Sequence, residues 1–432
     1  MRISSVTMYD QSTASINRQQ SDFLKVSQQI ASGRRVVNPS DDPQAASRAV
    51  GVDQSKAVTQ QYADARVSAR NSLSQTESIL NSVSDAVTSA KTLLIQASSD
   101  TLSDVDRESI ASELKGVYET MLGQANATDG NGRYLFGGYK DNAPPFVKSA
   151  DGSVEYQGDS NVREQRVDAS RLMPVNDNGE TIFKNVPSGA GYIAESVKTN
   201  NQGERLTGDA ARNVGTVTFT GPQIADVSAA GYGESYRIVF TENTDPASES
   251  EFDYEVQLFE NGDWLTEEVD LVAKEEYLGE GQQISFGGIN ITLEGEPSVG
   301  DQMLVAQSGG EARSADLFRT MEEAIRVLEN PADTPVKKAD LRNTLNTAMR
   351  DLDNSLDNVL TVRASAGARL NELDVVDAVG SNRMLNYEQT LSDLVDLDYA
   401  EAISEYSLRQ VGMQAAQKAF VDIKGLSLFN YM

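Results

Sequence analysis

The 432-residue chain contains no cysteine and no histidine. These absences exclude a thiolate nucleophile, a Ser-His-Asp triad, an imidazole base, and zinc or copper sites built from nitrogen and sulfur ligands. Any catalysis would fall to carboxylates, lysine or tyrosine. Positive charge is also scarce, with 37 Lys and Arg against 65 Asp and Glu, a formal charge of −28. Nucleic acid and anionic lipid are held largely by basic side chains that neutralise phosphates, so neither partner is expected. Aromatics make up 6% of the chain, with Trp264 the single tryptophan, and the hydrophobic share is 39%. So lean a composition favours long thin helices over a thick globule. No apolar run approaches the roughly 20 residues of a membrane span, which argues against membrane insertion. The opening residues Met1 to Val6 lack the apolar stretch of a secretory signal, so if the protein leaves the cell it is expected to do so by a route that does not cleave such a signal.

The charge is unevenly spread. Between Glu242 and Glu296, 16 acids face only Lys274, whereas the first 35 residues are net +3. The N-terminal arm reads as helices. Val6, Tyr9, Thr13, Ile16, Gln20, Phe23, Ser27 and Ile30 follow at spacings of three or four, a narrow stripe ended by Gly33. Asp42-Pro43 is a helix start, with a capping carboxylate before a proline at the first helical position. Ala69, Leu73, Thr76, Leu80, Val83, Val87, Ala90, Leu94 and Ala97 then form a coiled-coil seam over about four heptads. One helix from Pro43 to Ala97 would be roughly 80 Å long. A shorter helix is expected from Asp104 to Ala127, with Val105, Leu114, Val117, Tyr118, Met121 and Leu122 inward.

The C-terminal arm mirrors this pattern. Leu345, Ala348, Leu352, Leu356, Val359, Val362, Ala366, Leu370, Leu373, Val376, Met384, Tyr387, Leu391 and Leu394 form a second long stripe. A last helix carries Tyr399, Ile403, Tyr406, Gln410, Met413, Gln417 and Phe420. Each terminal stripe is too thin to fold alone. The two ends are therefore expected to pair with each other or with other subunits.

Between the arms the period changes to two. Strands are expected at Thr216–Thr220, Tyr236–Phe240, Tyr254–Phe259, Ile289–Leu293 and Met303–Val305, with a hairpin turn at Asn261-Gly262 and a smaller hairpin around Asp151-Gly152. The fold class that follows is mainly α with a β insert: a long antiparallel helical bundle or coiled coil from both chain ends, a small β-hairpin and a separate all-β outer domain.

Candidate chemistry is sparse. Asp351, Asp353 and Asp357 begin like a calcium loop, but Leu356 stands at the glycine position and Val362 at the position of the final glutamate, so an exposed helix face is expected instead. The acids of 242–296 show no spacing that selects a carboxylate pair for glycoside hydrolysis. Phe136-Gly137-Gly138 and Phe286-Gly287-Gly288 lack a phosphate-loop context and read as close turns at strand ends. No catalytic or metal constellation and no cofactor is expected.

Three segments carry a resemblance. Ile30–Pro43, with Ser32, Gly33, Arg35, Asn38, Asp41 and Asp42, resembles the L-S-S-G-x-R-I-N-x-x-x-D-D signature of the bacterial flagellin superfamily. Arg363, Ala364 and Gly367 resemble its R-A-x-x-G-A stretch, and Asp398, Tyr399 and Ala400 its D-x-D-Y-A element. Pro39 and Pro43 stand where flagellins typically have alanine. Together with Asn131–Gly138 before Pro144-Pro145-Phe146, and the tail Ser427–Met432, they are more similar to the hook-filament junction branch than to the filament subunit.

The resemblance implies a structural subunit and not an enzyme, exported through the flagellar type III apparatus to the extracellular hook-filament junction of the bacterial flagellum. Implied partners are hook-associated protein 1, flagellin, copies of itself in a helical ring, and an export chaperone near the C-terminus. Residues 1–42 with 398–432 would form an inner core tube. Residues 43–186 with 311–397 would form the long-helix bundle, and 187–310 a variable surface domain. Ile16, Phe23, Ile30, Ile403, Met413 and Phe420 are the expected assembly interface. A flagellin-type filament subunit and an adhesive or glycan-binding insert remain the alternatives.

Overall fold

A computed structural model describes the chain except residues 1–4, 151, 185, 187–190, 246, 249, 266–273, 308, 310, 311, 314 and 430–432. The last three residues of the expected tail motif and Asp151 of the expected hairpin therefore lie outside the described residues. The chain divides into two compact units. The first comprises Met1–Arg66, Val167–Ser170 and Asp374–Met432, the second Val67–Arg166 and Arg171–Leu373. Two long helices contribute to both units: α2 (Pro43–Ala97, 55 residues) and α5 (Pro335–Val395, 61 residues).

In the first unit α1 (Ser5–Ser32) and α6 (Tyr399–Phe429) join the ends of α2 and α5. There α2 and α5 run antiparallel, pinned by Lys56 to Glu388 at 3.0 Å and by a close pair between Arg66 and Asp377. No helix among the described residues is long and apolar enough to cross a membrane.

In the second unit the expected seam is the core. All nine seam residues from Ala69 to Ala97 are buried, and Leu345, Ala348, Leu352, Val359, Ala366 and Leu373 of α5 are buried with them. The helix α3 (Asp104–Ala125) starts at a capping box between Ser103 and Asp106. Its buried face is Ile110, Ala111, Leu114, Tyr118, Met121 and Ala125. Val105, expected inward, is 72% exposed. It precedes Leu114 by about two and a half helical turns, which puts it on the opposite face.

A fourth helix, α4 (Leu317–Glu329), was not expected as a separate element. Asp316 caps it, accepting from the amides of Phe318 and Arg319, and Leu317, Phe318, Met321, Ala324, Ile325 and Leu328 are buried. Phe318 closes an aromatic cluster with Tyr118, Phe146 and Phe183, whose ring centroids lie 5.3–6.1 Å from its own.

The strands, which lie in this unit except for Val167 and Asp168, form several small sheets. β1 (Phe146–Lys148) pairs with β2 (Val154–Tyr156), the expected small hairpin, and β3 (Glu164–Asp168) pairs with β4 (Arg171–Pro174). Of the remaining strands β5 (Tyr192–Glu195), β7 (Ser235–Glu242), β8 (Phe252–Glu260), β10 (Glu275–Glu276) and β13 (Gln302–Gln307) lie in the order β10-β8-β7-β13-β5, with β9 (Asp263–Leu265) also on β8. β6 (Thr218–Ile224), β11 (Gln282–Phe286) and β12 (Ile289–Glu294) form a sheet in the order β11-β12-β6. Alternate residues of both sheets, among them Phe219, Ile238, Phe240, Val256, Ile291 and Val305, fill one core. β6 runs past the expected end at Thr220 and through Pro222, which an edge strand tolerates because one rim of its ladder is unpaired. Gly287 and Gly288 adopt left-handed φ of 50° and 74° between β11 and β12, the expected strand-end turn. Gly137 and Gly138, in contrast, sit in a loop where an added Cβ on Gly137 would lie 2.7 Å from the Lys140 carbonyl oxygen, so this pair serves close backbone approach.

One expectation is overturned on α5. Asp351 does not lie on an exposed face; it is 3% exposed and accepts from Arg313 Nη2 at 2.6 Å and Thr320 Oγ1 at 3.2 Å. Arg313 also donates through Nε to Glu195 Oε2 of β5 at 3.2 Å, and Glu195 pairs closely with Arg205. Burial pushes the Glu195 carboxyl up, but the guanidiniums of Arg205, Arg313 and Arg319 outweigh it and hold the group at about 2. A carboxylate whose partner is far away in sequence carries no periodic sign of being buried.

Candidate assembly interface

The terminal stripes meet in the first unit. Phe23 packs on Tyr406 with ring centroids 4.8 Å apart, and Tyr9 on Phe420 at 5.3 Å, so α1 and α6 run antiparallel. Arg409 joins them by pairing with Asp22 at 3.0 Å. An added Cβ on Gly412 would lie 2.8 Å from the Gln19 side-chain oxygen, so glycine leaves room for the end of that side chain between the two helices. The two ends therefore pair with each other, one of the two outcomes the thin stripes allow. Ile16, Phe23, Ile30, Met413 and Phe420 are half-buried, whereas Ile403 is 54% exposed. The pair leaves other apolar side chains in solvent, notably Leu24, Leu408, Val411 and Val421.

The first and third motifs fold into one clasp. Ser32 ends α1, its hydroxyl donating to the Gln29 carbonyl at 3.2 Å and accepting from the Arg34 amide at 3.3 Å. Gly33 takes a left-handed φ of 68°, and an added Cβ there would lie 2.9 Å from Tyr399 Oη. Only glycine meets both demands without strain. The Gly33 carbonyl accepts from the Leu397 amide at 3.0 Å, and the Arg35 amide donates to the Val395 carbonyl at 2.8 Å. Arg35 Nη2 reaches the Leu394 carbonyl at 2.8 Å, and its Nη1 the Asp42 carboxylate at 3.2 Å.

Asp42 in turn caps α2 through the Ala45 amide at 3.0 Å, directly before Pro43. That amide first, and Arg35 second, hold its carboxyl below the ordinary aspartate value. Asp41 accepts from the Asn38 amide at 2.9 Å and pairs with Lys25 at 3.1 Å, and both contacts lower its pKa. Asp398 caps α6, accepting from the amides of Ala400 at 2.8 Å and Glu401 at 3.3 Å. The clasp thus uses one motif to stop α1 and start α2, and the other to start α6 against the same turn.

The second motif lies in the other unit. Arg363 Nε donates to Glu77 at 2.7 Å, tying α5 to α2, Ala364 is exposed, and an added Cβ on Gly367 would meet nothing within 4 Å. Sequence inspection missed a third arginine, Arg66, which is 2% exposed, donates to the Val167 carbonyl at 3.0 Å and passes Gly380, where an added Cβ would lie 2.6 Å from its Nη2. The available signal was Gly380 itself, since a glycine inside a long helix costs about 1 kcal/mol against alanine and asks for a packing reason. Among the described residues no group of acids is placed to hold a metal ion.

Comparison with known proteins agrees with this architecture. Residues 3–141 match the family described as bacterial flagellin N-terminal helical region. Flagellar hook-associated protein 3 of Escherichia coli (strain K12) is 32% identical over 99% of both chains, and that of Salmonella typhimurium is 30% identical over the same shares. A crystal structure of Xanthomonas campestris FlgL superposes with a TM-score of 0.61 at 29% identity, covering 79% of this chain and 99% of its own. With full-length identity of this order, and with the superfamily's two terminal motifs built into a single clasp, the chain belongs to the flagellar hook-associated protein 3 family of structural proteins of the bacterial flagellum.

Proposed function

We propose that this protein is the subunit that joins hook to filament. It assembles as a helical ring between hook-associated protein 1 and the first flagellins, outside the cell, after export without a cleaved signal. A chaperone would engage the C-terminal segment before export. The observation that carries the proposal is the terminal helix pair, which satisfies one face internally and leaves Leu408 72% and Val411 64% exposed on α6. Apolar side chains grouped in this way on a thin helical pair are matched by burial against other chains. Contacts between unlike faces of like subunits extend a helical lattice instead of closing a dimer. In this scheme residues 1–42 with 398–432 line the core tube, 43–186 with 311–397 pack around it, and 187–310 face outward.

Leu408→Asp with Val411→Asp tests the proposal without touching the α1 contacts. The variant should keep the helical signal of the monomer and fail to incorporate onto hooks capped with hook-associated protein 1. Normal incorporation would overturn it. Growth of long fibres by the unaltered protein alone would instead identify a filament subunit.

A further inference from the structure

The sequence holds three Asn-Gly pairs: Asn131-Gly132, Asn178-Gly179 and Asn261-Gly262. Such pairs can deamidate without any enzyme. The glycine backbone nitrogen attacks Cγ of the asparagine, ammonia leaves, and a five-membered succinimide forms. Water then opens the ring at either carbonyl, giving aspartate or isoaspartate; nothing is oxidised or reduced. The attack needs an amide nitrogen that is not already engaged, a side chain free to turn, and access for water.

The fold denies these conditions to two of the pairs. Asn178 is buried and its side-chain oxygen accepts from Tyr156 Oη at 3.0 Å and from the Glu180 amide at 2.8 Å, while the Gly179 amide donates to the Phe136 carbonyl at 3.1 Å. The Gly132 amide donates to the Asp129 carbonyl at 3.0 Å, and the Asn131 amide to Asp129 Oδ1 at 2.8 Å. Asn261 and Gly262 differ from both. They form the exposed two-residue turn between β8 and β9, with φ of 53° and 87°, and an added Cβ on Gly262 would meet nothing within 4 Å. Neither the Gly262 amide nor the Asn261 side chain has a hydrogen-bond partner among the described residues.

We infer that Asn261 is a site of spontaneous deamidation, converted ahead of Asn131 and Asn178. The isoaspartate product lengthens the backbone by one methylene inside a two-residue turn, which breaks the register that pairs Glu260 with Asp263 and Phe259 with Trp264. Trp264 reports the event. Its ring packs on Phe259 at 4.9 Å and under Arg237 at 4.4 Å, and its Nε1 donates to the Asn200 carbonyl at 3.0 Å.

The test is to incubate the full chain in mildly alkaline buffer, digest samples over time, and measure conversion at each asparagine by peptide mass spectrometry with isoaspartate-specific methyl labelling. A parallel incubation in denaturant supplies the intrinsic rates. In the folded chain, conversion at Asn261 should exceed that at the other two several-fold and track a change in Trp264 emission, and denaturant should erase the difference. Equal conversion at Asn131 or Asn178 in the folded chain would overturn the inference. So would an intact Asn261 over a period in which the denatured chain converts.

Discussion

Replacing Arg313 by methionine removes the cation that serves two buried carboxylates at once. Glu195 keeps Arg205 and Asp351 keeps Thr320, but both lose a guanidinium contact, at 3.2 Å and 2.6 Å respectively. Uncompensated buried charge of this kind costs about 3–5 kcal/mol. The Glu195 pKa sets the pH window, its depression being shared by Arg205 first and then by Arg313 and Arg319. A fall from 4.5 to about 2 corresponds to roughly 3 kcal/mol of preference for the ionised carboxylate in the folded state. Because the folded value is depressed, this stability is present above pH 4.5 and is lost as pH falls toward 2.

Arg313→Met should therefore lower the urea midpoint of the second unit, followed by Trp264 emission, by an amount equivalent to about 3 kcal/mol at neutral pH. The deficit should shrink as pH falls below 4.5, where Glu195 in the variant takes up a proton. Replacing Arg313, Glu195 and Asp351 together by apolar residues of similar volume should restore most of the loss, since Arg205, which loses Glu195, keeps Glu323 at 3.0 Å. A deficit that stays the same across pH, or one below about 1 kcal/mol, would show that the network does not carry the charge balance described for it.

Other outcomes follow from the first unit and the insert. Gly33→Ala forces a side chain into left-handed backbone against Tyr399 Oη, and should cost about 1–2 kcal/mol in thermal unfolding, with partial recovery in a Gly33→Ala, Tyr399→Phe double variant. Gly380→Ala displaces the buried Arg66 guanidinium and should cost roughly 1–3 kcal/mol, measured in the same way. The lowered pKa values of Asp41 and Asp42 place the clasp's ionic support above the ordinary aspartate value of 3.8, so the protection of the Ala45 amide, relative to its intrinsic exchange rate at the same pH, should fall as pH drops below it. Removal of residues 187–310 should spare ring assembly, and loss of attached filament in that deletion would contradict an external insert.

The long helices were legible because their signal is repetitive. From Ala69 to Ala97 every third or fourth residue is apolar or small, and all nine of these are buried, with Ser84 and Leu93 beside them. The clasp was legible as two motifs but not as one object, because nothing local in Gly33 names Tyr399 as its neighbour. Val105 was misplaced because apolarity alone does not fix the phase of a short helix; Leu114 and Tyr118 do. α4 escaped because thirteen residues between a strand and a long helix offer too few repeats to stand out. Asp351 reads as a surface charge, and Arg66 and Arg313 carry no sequence signal of their own, until topology brings their partners in from remote segments. Side chains whose role depends on a single distant contact are the least visible in sequence.

The clasp also has a consequence for the chain as a polymer. Arg35 and Leu394 are 359 positions apart, so their contact closes nearly the whole molecule into one loop. The entropy of closing a loop grows only with the logarithm of its length, about 0.6 kcal/mol for each doubling. Once the ring is tied at Arg35, adding or removing a hundred or so residues far from the knot changes its closure cost by less than a single hydrogen bond contributes. A segment such as 187–310 can therefore be exchanged, lengthened or shortened at almost no expense to the tie that holds the ends together.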